Sequence, residues 1–241
     1  MIIRKIRSAL RLLSTGQAGE LWTQVRESTW SDSLAYGLVR DLTVPFEVPA
    51  ARIPLRVRPL LPADIPLLLD WGRPGTSAEG MREMFNRKLL IDAGIPTCYV
   101  AVTEDGVPCY MQWLFAPSEN ARIVEYFRGI FPALAPDEAL LEDAFTCESH
   151  RGMGIMPCAM AQIAGEACRF GARRAMTFVD TENIPSLKGC RKAGFHPSLI
   201  RRVSCRLGSR RVTFAPLAPG TPYPFEVKGP EDGRAAGPAR V

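Results

Sequence analysis

The chain has 241 residues, of which 46 % are hydrophobic and 23 % are charged, and its formal net charge is +5. That length allows one substantial domain with a buried core, and the composition is ordinary for a soluble globular protein. The charge is too modest to call for nucleic-acid binding, and we expect no nucleic-acid partner. No run of residues approaches the roughly 20 apolar positions that span a bilayer.

Seven cysteines and two histidines restrict the possible chemistry. The cysteines are scattered and form no Cys-x-x-Cys pair, which is typical of buried thiols in a reducing compartment. Two histidines exclude a three-histidine zinc site. We therefore expect a cytoplasmic protein without a metal site.

The first 54 residues are predicted to form an N-terminal extension with helical character. Residues 2–13 place apolar side chains at helical spacing with basic residues between them, which predicts a short basic amphipathic helix. Such a helix either packs on its own domain or a partner, or lies on an anionic membrane surface, here the inner membrane surface. Residues 14–54 contain Trp22 and Trp30 and end in a proline-rich stretch, so they are predicted to pack against the main domain.

The next part of the chain alternates strands with a helical region. The predicted strands here are Leu55–Leu60, Cys98–Val102 and Pro108–Phe115, and the predicted helical region extends from Pro62 to about residue 93, with an interruption near Gly72–Gly75. Asp105-Gly106 between two β-rich runs indicates a hairpin. Residues 117–137 are ambiguous, and we allow some strand in Arg122–Phe127.

The last part completes one domain over residues 55–215. The predicted elements are a strand over Ala139–Thr146, a helix over Gly154–Phe170, a strand over Ala175–Val179, a helix over Pro185–Ala193, and a hairpin of Leu199–Arg206 with Arg210–Phe214. Residues 216–241 are rich in proline, glycine and small residues. This composition predicts a disordered tail.

A glycine turn follows the predicted strand Ala139–Thr146 and opens the next helix. It consists of Arg151, Gly152, Met153, Gly154 and Ile155. Glycines let the backbone approach a ligand closely, and the N–H groups and dipole at a helix N-terminus favour an anion. An arginine adds a charge-assisted contact. The turn therefore indicates a site for a pyrophosphate, and an ordinary strand-to-helix turn with a surface arginine is the alternative.

Asn183 and Ser186 follow the second strand, and Gly194-Phe195 closes the short helix after them. Together with the glycine turn, this order resembles the GNAT acetyltransferase superfamily over roughly residues 55–215. The resemblance implies an α/β fold with a mixed, splayed β-sheet flanked by helices, here preceded by the N-terminal helical extension. It also implies acetyl-CoA as the acyl donor and an amine as the acceptor.

The resemblance assigns roles to particular residues. Arg151 to Ile155 would hold the pyrophosphate, and Asn183 and Ser186 would flank the pantetheine. Met156 stands where the family has a small residue, and Cys190 stands where a tyrosine commonly acts as the general acid, so the acid stays unassigned.

Glu142 and Asp143 are adjacent carboxylates on one predicted strand, and we expect them to point to opposite faces. A carboxylate whose pKa is raised by burial can accept the proton of the attacking amine. Because the matching position in the family that the sequence resembles often carries an acid, we prefer Glu142 as this base, with Asp143 second and Glu138 third. The alternative is that both carboxylates are surface charges on a strand end or form an ion pair with Arg173 or Arg174.

Two rival functions stay open. The donor can be a longer acyl-CoA or an acyl carrier, which the basic amphipathic start would suit. Alternatively, the protein is a non-catalytic module that binds coenzyme A or associates with a membrane, which the residues Met156 and Cys190 favour. The identity of the acceptor and the oligomeric state are not predicted.

Overall fold

Eight strands form a single sheet in the computed structural model, which describes residues 30–70, 77–95, 97–207 and 209–226. The strands are β1 Trp30–Asp41, β2 Arg56–Pro59, β3 Cys98–Val102, β4 Pro108–Phe115, β5 Glu138–Thr146, β6 Arg174–Asp180, β7 His196–Arg206 and β8 Ser209–Pro216. Their order across the sheet is β2-β3-β4-β5-β6-β1-β7-β8. All neighbours are antiparallel except β5 and β6, which run parallel, so the predicted mixed sheet is confirmed.

The parallel pair separates soon after it begins. β5 and β6 pair only where Glu138–Leu140 faces Arg174–Met176, although both strands continue well beyond these residues. The predicted splay of the sheet is therefore confirmed. It opens a gap toward the carboxyl ends of two neighbouring parallel strands, where ligands of α/β proteins commonly bind.

Five α-helices cover the two faces of the sheet within the described residues. They are α1 Ile65–Leu68, α2 Ala78–Asp92, α3 Asn120–Phe127, α4 Ile155–Glu166 and α5 Ile184–Lys192. One core cluster joins α4 and α5 to the sheet and includes Ile163, Leu187 and Phe195. The other core cluster joins α1, α2 and α3 to the opposite face and includes Trp113 and Phe115. No described helix is long and apolar enough to cross a membrane.

Strand β1 corrects the predicted helical extension for residues 30–41, and residues 1–29 of that extension lie outside the described residues. The strand lies inside the sheet and pairs antiparallel with both β6 and β7. Leu38 is fully buried, and Tyr36 and Val39 pack against opposite core clusters. This is the period-two pattern of a strand with both faces covered. The predicted amphipathic helix over residues 2–13 lies outside the described residues.

Residues 120–127 form helix α3 rather than the strand that we allowed there. The apolar residues Ile123, Tyr126 and Phe127 recur at helical spacing and bury one side of the helix. At its start, the Asn120 side chain bonds both the N–H and the C=O of Leu134, which fixes the following loop.

The disordered tail was predicted to begin at residue 216, but the folded domain extends beyond that residue. Pro216 ends β8, and Leu217 N donates to Ser198 O at 2.8 Å. Further on, the side chain of Tyr223 is buried and its hydroxyl donates to Phe195 O at 2.8 Å. Residues 217–226 therefore belong to the folded domain, because buried aromatic surface outweighs the local proline and glycine content.

Candidate active site

The gap between β5 and β6 contains the carboxylate of Glu142. Its Oε1 accepts a hydrogen bond from Phe178 N of β6 at 3.0 Å. Where two strands diverge, such an N–H loses its ladder partner and needs another acceptor. Glu142 therefore bridges the two strands across the gap that their separation opens.

Burial raises the pKa of Glu142 to about 8. The Phe178 N–H group and the nearby guanidinium of Arg201 both stabilise the charged form, but they only partly oppose the loss of hydration. Asp143 beside it acts in the same direction as burial. At neutral pH the Glu142 carboxyl is thus poised to exchange a proton, which is what a general base or acid requires.

Asp143 lies in a bulge of β5. Its φ is +54°, and the register of β4 places the single residue Gln112 opposite Asp143 and Ala144. A bulge breaks the strict alternation of strand side chains, so the expectation of opposite faces does not hold here. A non-glycine residue in this backbone region is uncommon, and such residues often occur at functional sites.

The carboxylate of Asp143 is occupied by an arginine from the covering helix. Arg87 Nε lies 3.2 Å from Asp143 Oδ1, and the arginine is 5 % exposed. Arg87 also contacts Glu83 at 3.3 Å and lies 4.4 Å from the centre of the Phe145 ring. Burial raises the pKa of Asp143 while Arg87 opposes that rise. Because its charge is already paired, Asp143 is less suited than Glu142 to take a proton.

The glycine turn connects β5 to α4 in the way the sequence predicts. Gly152 and Gly154 have φ values of +78° and +74°, and helix α4 starts at Ile155 with Gly154 as its N-cap. In the described part of the chain, the N–H groups of Gly152, Met153 and Gly154 donate to no protein acceptor. These donors stand at the start of a helix, where the dipole favours an anion.

A segment before β2 runs alongside this turn. Arg52 N donates to Met153 O at 2.8 Å, and a Cβ atom on Gly154 would lie 3.5 Å from Ala50 O. The Arg151 side chain, which is exposed, reaches Thr146 O at 3.4 Å. The turn is therefore held in place from two sides, and no described residue occupies its N–H groups.

Asn183 and Ser186 begin helix α5. Asn183 Oδ1 accepts from Ser186 N at 3.1 Å, which is a standard helix cap. The structure thus gives both residues a local structural role, and it leaves their predicted contact with a cofactor as a prediction.

Met156 belongs to the first turn of α4, and its side chain lies between α4 and α5. A Cβ atom on Gly189 would stand 2.3 Å from Met156 Sδ, so the thioether fills the space that this glycine leaves. Helix α5 can approach α4 here only because position 189 has no side chain. The side chain of Met156 is thus directed to α5, which explains how a large residue is tolerated at this point of the turn.

Cys190 is fully buried, and its thiol lies 3.8 Å from Met160 Sδ. Burial raises the pKa of this thiol well above its usual range. A thiol in this state is a packing group, and it is a poor acid and a poor nucleophile.

A cavity of about 310 Å³ opens on the α2 side of the site. Arg87 and Phe145 line it, together with the residues Glu148–Arg151 that lead into the glycine turn. The cavity therefore joins the Arg87–Asp143 pair to the surroundings of the turn.

Two parts of this site are not predicted from the sequence. Arg87 is separated from Asp143 by more than fifty residues, so only a known fold places them together. The segment Ala50–Arg52 carries no motif at all. Among the described residues, no group of three or more His, Cys, Asp and Glu side chains converges as a metal site would.

Comparison with solved structures identifies the fold. A glucosamine N-acetyltransferase region of a fungal multi-domain GH3 β-N-acetylglucosaminidase covers 78 % of this chain at 16 % identity, with a TM-score of 0.53. A GCN5-related N-acetyltransferase from Sphaerobacter thermophilus covers 79 % at 17 % identity (TM-score 0.45). A GNAT-family acetyltransferase from Colwellia psychrerythraea covers 79 % at 12 % identity (TM-score 0.46).

These similarities concern the fold, and the first of them carries that conclusion: the chain has a GNAT-type fold. The chain spans 23 % of the length of the fungal protein and 57 % of each of the other two. No protein-family model matches the sequence. No curated protein sequence matches it either.

Proposed function

We propose that this protein is an N-acyltransferase that moves an acetyl group from acetyl-CoA to an amine. The observation that carries the proposal is the glycine turn beside the gap between β5 and β6, whose N–H groups have no acceptor among the described residues. A diphosphate fits the first feature, and an extended acyl-carrying arm fits the second. The GNAT-type fold supports the assignment.

The coenzyme binds along these two features. Its diphosphate receives the backbone N–H groups of the turn formed by Arg151, Gly152, Met153, Gly154 and Ile155, with the Arg151 guanidinium as a further donor. The pantetheine arm carries amide groups that can pair with the open edges of β5 and β6, as an added strand does. Asn183 and Ser186 flank this arm.

Glu142 acts as the general base. The neutral amine attacks the thioester carbon, so a C–N bond forms while the C–S bond breaks. The amine proton passes to the Glu142 carboxylate, directly or through a water molecule. The leaving thiolate carries the electron pair and takes a proton from solvent, because the buried Cys190 is a poor donor.

Transfer is direct, without an acyl-enzyme intermediate. A covalent mechanism needs a nucleophile activated by a neighbouring base or by a lowered pKa. Cys190, which belongs to the helix beside the gap, has a raised pKa instead. Steady-state kinetics are therefore expected to follow a ternary-complex pattern, and a ping-pong pattern would contradict this step.

The amine acceptor enters through the cavity of about 310 Å³ on the α2 side. The cavity wall includes Phe145 of β5, three residues after Glu142, and the paired Arg87. An amine that enters here approaches the gap from the side opposite to α4 and α5. Asp143 and Arg87 then serve to hold the end of β5 in its bulged form.

The state of the cysteines supports a cytoplasmic location. All seven are free thiols in the structure, and four of them are buried. Free thiols in this number are typical of a reducing compartment.

The test is an assay of thiol release from acetyl-CoA with a panel of small amines, together with calorimetric binding of acetyl-CoA. The matched variants are Gly154→Ala and Gly165→Ala. Position 154 has a left-handed backbone, so a side chain strains the turn by about 1–2 kcal/mol, whereas a Cβ on Gly165 meets nothing within 4 Å.

We expect Gly154→Ala to weaken coenzyme binding at least several-fold and Gly165→Ala to leave it unchanged. If acetyl-CoA gives no binding heat with the wild-type protein, the assignment is wrong. If both variants bind the coenzyme equally well, the glycine turn does not contribute to coenzyme binding.

A second candidate is a coenzyme-binding protein without transferase activity. The observation that favours it is the buried Cys190, since a packing residue stands where the related fold commonly supplies an acid. Coenzyme binding without thiol release in any amine screen would support this candidate over the first.

A further inference from the structure

Arg201 of β7 is a half-buried cation that acyl transfer to a simple amine does not require. Its Cζ atom lies 5.0 Å from the centre of the Phe178 ring and 5.3 Å from the centre of the Phe131 ring. Both rings belong to the core cluster on the side of α1, α2 and α3. Arg201 therefore lies on the face of the sheet from which we propose that the amine approaches.

The hydrogen-bonding capacity of Arg201 is largely unused. A guanidinium has five N–H donors in a planar fork. Among the described residues, its one hydrogen bond runs from Nη1 to Ile130 O and is 3.4 Å long. Its Nε is buried and meets no acceptor in the described part of the chain. The guanidinium can thus still donate to a planar anion.

Two carboxylates act on Arg201 without forming an ion pair with it. Burial lowers the pKa of Arg201, and the charges of Glu142 and Asp180 oppose this effect. Asp180 is exposed, and its Oδ1 accepts from Glu182 N at 3.0 Å. Glu142, with a pKa of about 8, is mostly uncharged at pH 7. Because a partly buried charge is costly unless it is paired, Arg201 favours an anionic ligand.

Phe178 places Arg201 next to the proposed base. The Phe178 N–H donates to Glu142 Oε1 at 3.0 Å, while the Phe178 ring supports the guanidinium of Arg201. Phe214 of β8 stands opposite Arg201 in the ladder, and its ring lies 6.2 Å from that of Phe178. Phe214 is 38 % exposed. The surface beside the base therefore combines a cation with an apolar wall.

We propose that Arg201 binds a carboxylate of the acceptor, so that the acceptor is an amino acid or another amine with a carboxylate close to its amino group. A carboxylate has the charge and the planar shape that one guanidinium recognises through two parallel hydrogen bonds. With the carboxylate at Arg201, the amine of the same molecule is directed to Glu142. This inference rests on the proposed function, because it assumes that the amine reacts beside Glu142.

The experiment measures thiol release from acetyl-CoA with matched pairs of acceptors, each pair being an α-amino acid and its α-carboxamide. The amide has nearly the same shape but no charge. Values of kcat/KM are expressed for the unprotonated amine, because the two members of a pair differ in amine pKa. The test variant is Arg201→Gln. The control is Arg202→Gln, which removes an exposed charge from the next residue of β7.

A lost hydrogen bond to a charged group changes binding by roughly tenfold to a hundredfold. We expect the wild-type protein and Arg202→Gln to prefer the amino acid over its amide by this factor, mainly through a lower KM. Arg201→Gln should lose the preference and still acetylate the amides. Arg201→Lys keeps the charge but not the planar fork, so it should retain part of the preference.

If the wild-type protein uses the amides as well as the amino acids, or if Arg201→Gln lowers kcat/KM equally for both, the inference is overturned while acyl transfer stands. If Arg201→Gln does not fold, the comparison of wild-type protein with Arg201→Lys decides in the same way. If no amine of either class releases thiol, the proposed function fails and takes this inference with it.

Discussion

The substitution Glu142→Gln separates the chemical role of Glu142 from its structural role. Glutamine keeps an oxygen that can accept the Phe178 N–H bond, now 3.0 Å long, but it cannot take a proton. General-base assistance contributes roughly 10²–10⁴-fold to a rate. We therefore expect the variant to lose a hundredfold or more in kcat/KM at its optimum pH while retaining the fold.

The pH dependence of kcat/KM gives a more specific expected magnitude than the loss of rate does. With a pKa of about 8, only about a tenth of Glu142 is ionised at pH 7. Because the ionised form is the active base, kcat/KM of the wild-type protein should rise about tenfold between pH 7 and pH 9. The increase should be steepest below pH 8 and level off above it.

The assay measures thiol release while the concentration of the unprotonated amine is kept saturating at every pH. Ionisation of the acceptor then cannot produce the same dependence of the rate on pH. Glu142→Ala is the companion variant, since it leaves the Phe178 N–H without an acceptor and should lower stability by about 1–3 kcal/mol. A Glu142→Gln protein that keeps both the wild-type rate and the wild-type pH profile would refute the role of Glu142 as base.

Three further predictions concern stability. The folded-state pKa of Glu142 is raised from 4.5 to about 8, so its contribution to the free energy of unfolding is full below pH 4.5 and is lost as pH rises through 8. Urea titrations across this pH range should therefore show that the free energy of unfolding falls with pH more steeply in the wild-type protein than in Glu142→Gln, by up to about 1.4 kcal/mol per pH unit. Gly189→Ala should destabilise the protein by about 1–3 kcal/mol because the new methyl meets Met156 Sδ, and added Met156→Ala should restore part of the loss; a purely additive double variant would contradict this contact. Tyr223→Phe should cost about 1 kcal/mol in thermal unfolding through loss of the bond to Phe195 O, whereas no change in melting temperature would argue against docking of the C-terminal segment.

The region from β5 to α5 was predictable from sequence because its signals are local. Strand, glycine turn, helix, strand and Asn183 cap follow one another within about fifty residues, and each has its own residue pattern. Gly152 and Gly154 occur where the backbone needs a positive φ, which is a requirement that sequence expresses directly.

Strand β1 was not predictable in this way. Its partners β6 and β7 are more than 130 residues away in the chain, and nothing in a single sequence states such a pairing. Tyr36, Leu38 and Val39 are apolar residues that pack against the two faces of the sheet, and such a pattern can indicate a strand. It does not indicate the position of that strand in the sheet. Tyr223 is likewise ordered by long-range packing, although the local composition around it favours disorder.

The residue types of the candidate site were predictable from the sequence, but the ion pairs and hydrogen bonds of these residues were not. Sequence places Glu142 and Asp143 side by side, but it cannot tell that Arg87 pairs with the second and leaves the first to a backbone N–H group. That difference comes from the bulge at Asp143 and from the divergence of two strands. It is what distinguishes the proposed base from its neighbour.

The proposed function requires that the main-chain N–H groups of the glycine turn bind the diphosphate of an acyl coenzyme. This binding can be observed by an amide NMR titration with acetyl-CoA, using assignments for Gly152, Met153 and Gly154. We expect these amides to show large saturable shifts, while the amide of Gly165, in the same helix system, stays unchanged. Saturable binding that leaves the three turn amides unmoved would contradict the account.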